Sequence, residues 1–355
     1  MFSNFLLKIK ANKMWVGEME SDVFRNLSKE EYKKIEKFFL EQYMLKMQYH
    51  TPMGYMYRNN QTFNIDRKIE KDYFQYHIFD KDYETIGFFS GSTGWGWGIY
   101  KKSLMIDYFI GKNLQKNIIN FSNVGSNIYK IFNMYKQFSL KNTLPEKNIF
   151  YFGINESYDI SNNIDIVFSN RDRRIRKNIL EFEKYYRNLP LSLKTIAYLF
   201  ARSVALNIVY VKHAIKKDFV KRVPKKIEKV KLNEETLKEN LNFIKNIIEE
   251  INSLSDVVFI LEPSLFDKKY LSEYEKAQLR KKDLSVPNLR KSFNIVYSDL
   301  IEFFEKKNIK YIDARESVKE VKESIFIDYC HPWVNGTRII GEYISKELKE
   351  KQWLL

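Results

Sequence analysis

The chain has 355 residues, 44% of them hydrophobic and 30% charged, so it is long and apolar enough to bury a sizeable core as one large α/β domain with insertions. Its formal net charge of +15 accompanies an abundance of Lys, Asn, Ile, Tyr and Phe and only 12 Gly and 7 Pro. That bias runs through the whole length and reads as compositional drift, so no nucleic-acid partner is expected. Cys330 is the sole cysteine, which excludes an intramolecular disulfide and makes a reducing cytoplasm the expected location.

In chain order, residues 1–80 read as an N-terminal extension packing on the core. Its apolar patch Phe5-Leu6-Leu7 is broken by Lys8 and Lys10 and predicts no export signal. The aromatic run Tyr49-His50-Thr51-Pro52-Met53-Gly54-Tyr55 within it would either pack that lobe on the sheet or form part of a substrate wall. Residues 81–355 carry five short runs rich in β-branched and aromatic side chains: Thr85 to Phe89, Ile118 to Phe121, Ile149 to Phe152, Val257 to Leu261 and Ile309 to Ile312. Helical patterns alternate with them, notably Leu237 to Ile251, Phe293 to Phe304 and a closing helix over Thr337 to Leu348. Alternation of this kind predicts a parallel sheet covered on both faces.

Between the third and fourth strands, about 157–236 reads as a helical, basic insertion. It holds Arg171, Arg173, Arg174, Arg176 and Lys177, an amphipathic helix from Leu189 to Val211 interrupted by Lys194 and Arg202, and a second basic cluster from Lys216 to Lys231. Cations flanking a helix suit an anionic membrane surface or an acidic polysaccharide, and equally a solvated helical cap.

In an open parallel sheet the ligand crevice lies beyond the carboxyl ends of the strands, and the chemistry-bearing residues fall there. Ser92, within Ser90-Gly91-Ser92-Thr93-Gly94, follows the first strand. Asn123 and Gly125 follow the second, and Gly153-Ile154-Asn155-Glu156 the third. Asp328 and His331, within Asp328-Tyr329-Cys330-His331-Pro332, follow the fifth. A serine hydroxyl needs an imidazole to take its proton, and that imidazole needs a carboxylate to fix its tautomer. Asp and His three positions apart at a turn entering a helix can project to the same side, with Pro332 in the first helical turn.

The order of these blocks resembles the SGNH (GDSL-like) hydrolase superfamily, whose members carry a Ser block, a Gly block, a Gly-x-Asn-Asp block and an Asp-x-x-His block. The likeness covers roughly residues 84–156 and 237–349. It implies a three-layer α/β/α sandwich around a five-stranded parallel sheet (flavodoxin-like) with helical additions. It further implies Ser92 as nucleophile, His331 as general base and then acid, and Asp328 as its orienting carboxylate. The oxyanion hole would comprise the Ser92 N–H, the Asn155 amide and a Gly-block N–H. Counting five positions from Asn123 gives Ile128 for that last donor, whereas the glycine present is Gly125, which is named for the role. Ser90-Gly91 stands where the family has Gly-Asp, and Glu156 where the third block has Asp.

Other chemistries fit less well. The glycines at 94, 96 and 98 fail the dinucleotide pattern at Ile99, and no P-loop lysine follows. An α/β-hydrolase would separate its acid from its histidine by a longer segment than three residues. His50, His77, His213 and His331 are dispersed without a second nearby ligand, so no metal and no cofactor is expected. Cys330, adjoining His331, should point its side chain away as a small buried residue. The expected activity is hydrolysis of an oxygen ester, with an acetyl group on a carbohydrate as the substrate the resemblance implies. O-acyl transfer to a glycan by the same serine, and a non-catalytic glycan- or membrane-binding protein, are the alternatives. The expected location is cytoplasmic, with the membrane periphery allowed by the basic insertion.

Overall fold

The computed structural model describes residues 75–99, 101–123, 125–139, 144–168, 232–286 and 288–354. Most of the N-terminal extension lies outside these residues, including the aromatic run around His50. So do 169–231 of the expected insertion, with its amphipathic helix, both basic clusters and His213.

Six strands form one sheet: β1 (Gln75–His77), β2 (Thr85–Ser90), β3 (Asn117–Asn120), β4 (Lys147–Phe152), β5 (Asp256–Leu261) and β6 (Tyr311–Asp313). Their order is β1-β3-β2-β4-β5-β6. The last five are parallel, as the alternating pattern predicts, while β1 adds an antiparallel edge to β3. Three residues with one apolar position left β1 no readable period. Along β4 and β5 nearly every residue is buried, because both faces are covered.

Alternation along these strands decides which layer each side chain enters. On one face Phe89, Phe150, Phe152, Phe259 and Leu261 meet α2 (Ile128–Ser139), α4 (Glu234–Leu254) and α6 (Leu289–Lys307). On the other, Phe88, Ile149, Tyr151, Val258 and Ile260 meet α1 (Ile106–Leu114) and α7 (Val334–Glu350). The result is the expected three-layer α/β/α sandwich. Helix starts and stops follow local chemistry. Asn233 caps α4 by accepting from the Glu235 and Thr236 N–H groups at 3.0 and 3.2 Å, and α6 stops at Asn308 in the left-handed region. Pro332 is not in the first turn of α7. It pairs with Phe326 in an isolated bridge, and the helix begins two residues later.

The chain leaves β2 toward β3 on one side and returns past β2 to β4 on the other. This reversal opens a crevice at the carboxyl end of β2, between the loops that follow β2, β3 and β4. α3 (Ile154–Ser161) starts at the same rim, so the first part of the expected insertion is core helix. Beyond it, the two ends of the remaining insertion are tied together. Asn233 N–H donates to Asn163 Oδ1 at 2.8 Å, and the Asn240 side chain bonds both the Ile164 carbonyl and the Ile166 N–H at 2.9 and 3.0 Å. Among the described residues no helix is long and apolar enough to cross a membrane.

Candidate active site

β2 ends at Ser90 and the chain turns immediately into one helical turn. The Trp95 N–H donates to the Gly91 carbonyl at 3.1 Å and the Trp97 N–H to the Ser92 carbonyl at 2.9 Å. This turn lifts half-buried Ser92 to the rim while its neighbours Gly91 and Thr93 are buried. Gly91 is required by close approach. A Cβ there would lie 2.6 Å from Asn155 Nδ2 and 3.0 Å from the Ser126 carbonyl, so the Asn155 amide sits directly against the backbone that carries the serine. Asn155 is held by donating to that Ser126 carbonyl at 2.8 Å.

The loop after β6 arrives from the far end of the chain. Its Asp328 carboxylate is pinned by geometry as well as charge: Oδ1 accepts the His331 and Cys330 N–H groups at 2.8 and 2.9 Å, leaving Oδ2 to face His331 Nδ1 at 2.7 Å. His331 Nε2 lies 2.8 Å from Ser92 Oγ. A carboxylate only accepts, so Nδ1 carries the ring proton and Nε2 presents its lone pair to the hydroxyl. Burial pushes the Asp328 carboxyl up, but His331 and the two backbone donors outweigh it and hold the group well below the ordinary carboxylate range.

The loop itself is braced. Buried Lys268 pairs with buried Glu275 at 2.8 Å and also donates to the Glu323 carbonyl at 2.5 Å. Glu275 in turn accepts the Ile325 N–H at 3.2 Å. The Tyr274 hydroxyl donates to the Ile327 carbonyl at 2.5 Å. Both Glu275 and Tyr274 belong to α5 (Glu273–Ser285). The Trp97 ring stands 6.0 Å from that of His331. Lys282 lies over two further rings, 4.0 Å from the centroid of Tyr329 and 4.6 Å from that of Tyr158.

Ser92, Asp328, His331 and Asn155 therefore come together at this rim. Gly125 lies in the loop beside the nucleophile turn, where the Asn123 N–H donates to the Ser90 carbonyl at 3.0 Å, and it adopts φ 73°. Ile128 is excluded as an anion donor because its N–H is taken by the Glu156 carboxyl inside the first turn of α2. Two expectations about Cys330 and metal ligands need correcting. Its buried thiol does not point clear of the imidazole: Sγ lies 3.6 Å from His331 Nδ1, and the ligand atoms of Asp328, Cys330 and His331 fall within 4.8 Å of one another. His331 thus has two groups of ligand type beside it. Burial pushes the thiol well above its ordinary range, which keeps it a poor thiolate ligand and nucleophile. His77 likewise has one carboxylate beside it, lying buried 2.9 Å from buried Asp107.

Two buried glutamates lie under this rim: Glu262, which sequence reasoning missed, and Glu156, read there only as a replacement for Asp. Glu262, just past β5, accepts from the Ser90 hydroxyl at 3.3 Å, from the Thr93 hydroxyl, and from the Ile154 N–H at 3.3 Å. Glu156 accepts from the Gly153 N–H at 2.9 Å and from Ile128. Burial pushes Glu262 up to about 8 and Glu156 up to about 7. The available signal for Glu262 was a carboxylate directly following the apolar run Val257 to Leu261, at the end of a strand that is buried over that run.

Neither a protein-family model nor a curated protein matches the chain. Among solved structures it is similar to a protein described as lipolytic, of the G-D-S-L family, from Desulfitobacterium hafniense DCB-2, at 13% identity and TM-score 0.39 over 74% of this chain and 98% of that one. It is also similar to Est24, a carbohydrate acetylesterase from Sinorhizobium meliloti (10%, TM-score 0.43, over 76% and 99%). A third is the aryl esterase of M. smegmatis (10%, TM-score 0.39, over 75% and 99%). Likenesses this distant carry no argument about chemistry, which rests on the distances above.

Proposed function

We propose that the chain is a serine esterase that hydrolyses an oxygen ester through an acyl-serine intermediate. One observation carries the reading: an unbroken relay from Ser92 Oγ to His331 Nε2 at 2.8 Å and from His331 Nδ1 to Asp328 at 2.7 Å, assembled from opposite ends of the described chain. As Ser92 attacks the ester carbonyl, its proton passes to Nε2 and Asp328 stabilises the imidazolium. The oxyanion is met by the Ser92 N–H, the Asn155 amide and the Gly125 N–H, one such donor being worth about 3 to 4 kcal/mol. The imidazolium then protonates the departing alkoxide. Water enters, gives its proton to Nε2, and its oxygen displaces serine from the acyl carbon, Ser92 Oγ taking that proton back from Nε2 as it leaves.

The preferred substrate is a small acyl group, acetate, on a carbohydrate. The block order of the chain, which resembles that of the SGNH hydrolases, supports it. A fluorophosphonate probe together with acetate release from an acetylated glycan tests the reading. Labelling of the wild type that disappears in Ser92→Ala supports the esterase. A folded wild type that neither labels nor releases acetate sinks it, and acetyl appearing on an added glycan in place of free acetate would redefine the acceptor as a sugar hydroxyl.

A further inference from the structure

Glu262 touches none of the reacting groups, yet it stands beneath two of the elements that present them. The side chain is 1% exposed. Its Oε1 takes the hydroxyls of Ser90 and Thr93, the residues two before and one after the nucleophile, and its Oε2 takes the N–H of Ile154, the residue before Asn155. The backbone of Glu262 is fixed as well: its N–H donates to the Phe152 carbonyl at 3.0 Å and its carbonyl accepts the Tyr297 hydroxyl at 2.8 Å. One rigidly mounted carboxyl therefore spans the nucleophile turn and the start of the helix that bears the oxyanion amide.

We propose that Glu262 is a positioning residue that sets the distance between Ser92 and Asn155 by tying the Ser90–Thr93 turn to the first turn of α3. This inference rests on the serine-esterase reading above. The groups facing the carboxyl come from every element packed on it. They are Glu156 from α3, Tyr151 from β4, Tyr297 from α6 and Cys330 from the base-bearing loop, together with the hydroxyls already named. None of them is a cation, so a charge on Glu262 would be opposed only by hydrogen-bond donors and would repel Glu156.

Burial raises the carboxyl to about 8, so the neutral acid is the form that holds the site at neutral pH. In that form one carboxyl oxygen accepts the Ile154 N–H, while the other side exchanges hydrogen bonds with hydroxyls that can donate or accept. Glutamine can reproduce this pattern, its carbonyl toward Ile154 and its amide toward Ser90 and Thr93. Leucine cannot.

The test compares wild type, Glu262→Leu, Glu262→Gln and Thr93→Val by rate of fluorophosphonate labelling and by kcat and KM on p-nitrophenyl acetate, from pH 6 to 9.5. Glu262→Leu should lower kcat and the labelling rate at least tenfold with KM within about twofold, and Glu262→Gln should recover most of that loss. The wild type should lose rate as pH rises through about 8, and the glutamine variant should not, because it has no proton to lose there. Thr93→Val keeps the side-chain shape and deletes only one tie. It should fall between wild type and leucine, and it carries the test if the leucine variant does not fold. Equal rates in wild type, leucine and valine variants, or superimposable alkaline limbs in wild type and glutamine variant, would overturn the positioning role while leaving the esterase standing. A wild type that does not label removes both.

Discussion

Replacing Asp328 with Asn preserves shape and changes only where protons sit, so its cost can be worked from the hydrogen bonds. Oδ1 is committed to two backbone donors, the N–H groups of His331 and Cys330. An asparagine must put its carbonyl oxygen there, since turning it over would set an amide N–H2 against two N–H groups. Its amide nitrogen then faces His331 Nδ1, where Asp328 offered an acceptor at 2.7 Å. Nδ1 is forced to accept, the ring proton moves to Nε2, and the atom 2.8 Å from Ser92 Oγ becomes a donor that cannot take the serine proton. The imidazolium also loses its counter-charge. A wrong tautomer of this kind typically costs about 10⁴-fold in kcat, or roughly 5 kcal/mol of transition-state stabilisation. The assay is hydrolysis of p-nitrophenyl acetate under saturating conditions, paired with a thermal melt. A folded Asp328→Asn variant within tenfold of the wild-type kcat at neutral pH would refute the relay.

Asn155→Ala should reduce kcat by about 10²- to 10³-fold with little change in KM, since the donor it deletes acts on charge present only in the transition state. A KM effect alone would place Asn155 in substrate binding instead. Gly153→Ala should destabilise the fold, seen as a lower denaturation midpoint: the position adopts φ 132°, and an added Cβ would lie 2.4 Å from the Tyr297 hydroxyl. For Glu156, Glu262 and Asp267 the folded-state values of about 7, 8 and 7 lie above those of the unfolded chain. The folded protein therefore holds protons the unfolded chain has released, and these groups make stability fall as pH rises from about 4.5 to 8. Chemical denaturation at pH 5.5 and 8.5 should show this drop, and Glu262→Gln should shrink it; an undiminished drop would remove Glu262 from the account. Lys268→Met should destabilise the protein by about 3 to 5 kcal/mol in urea titration, because it strands buried Glu275 without its partner.

The parallel sheet was legible because β4 and β5 carry near-continuous apolar runs, which two covered faces require, and helical patterns alternate with the strands. Asp328 and His331 were legible from their short spacing in a loop past a strand, and Ser92 from the order of blocks that resembles a known family. The rest was hidden by the same physics. The Ile128 N–H is claimed by the Glu156 carboxyl from the first turn of α3, a contact no spacing in the sequence announces. The closeness of Cys330 to the imidazole is set by how Asp328 folds the loop back on itself, and no spacing rule contains that. Glu262 meets Thr93 across 169 positions, a contact that only the strand order creates.

The closure between Asn163 and Asn233 has a consequence for how such a chain can change. Because the flanks are fastened to each other by bonds of their own, from Asn163 to Asn233 and from Asn240 to Ile164 and Ile166, the chain on either side of this join keeps its place against β4 and β5 through changes that leave these asparagines intact.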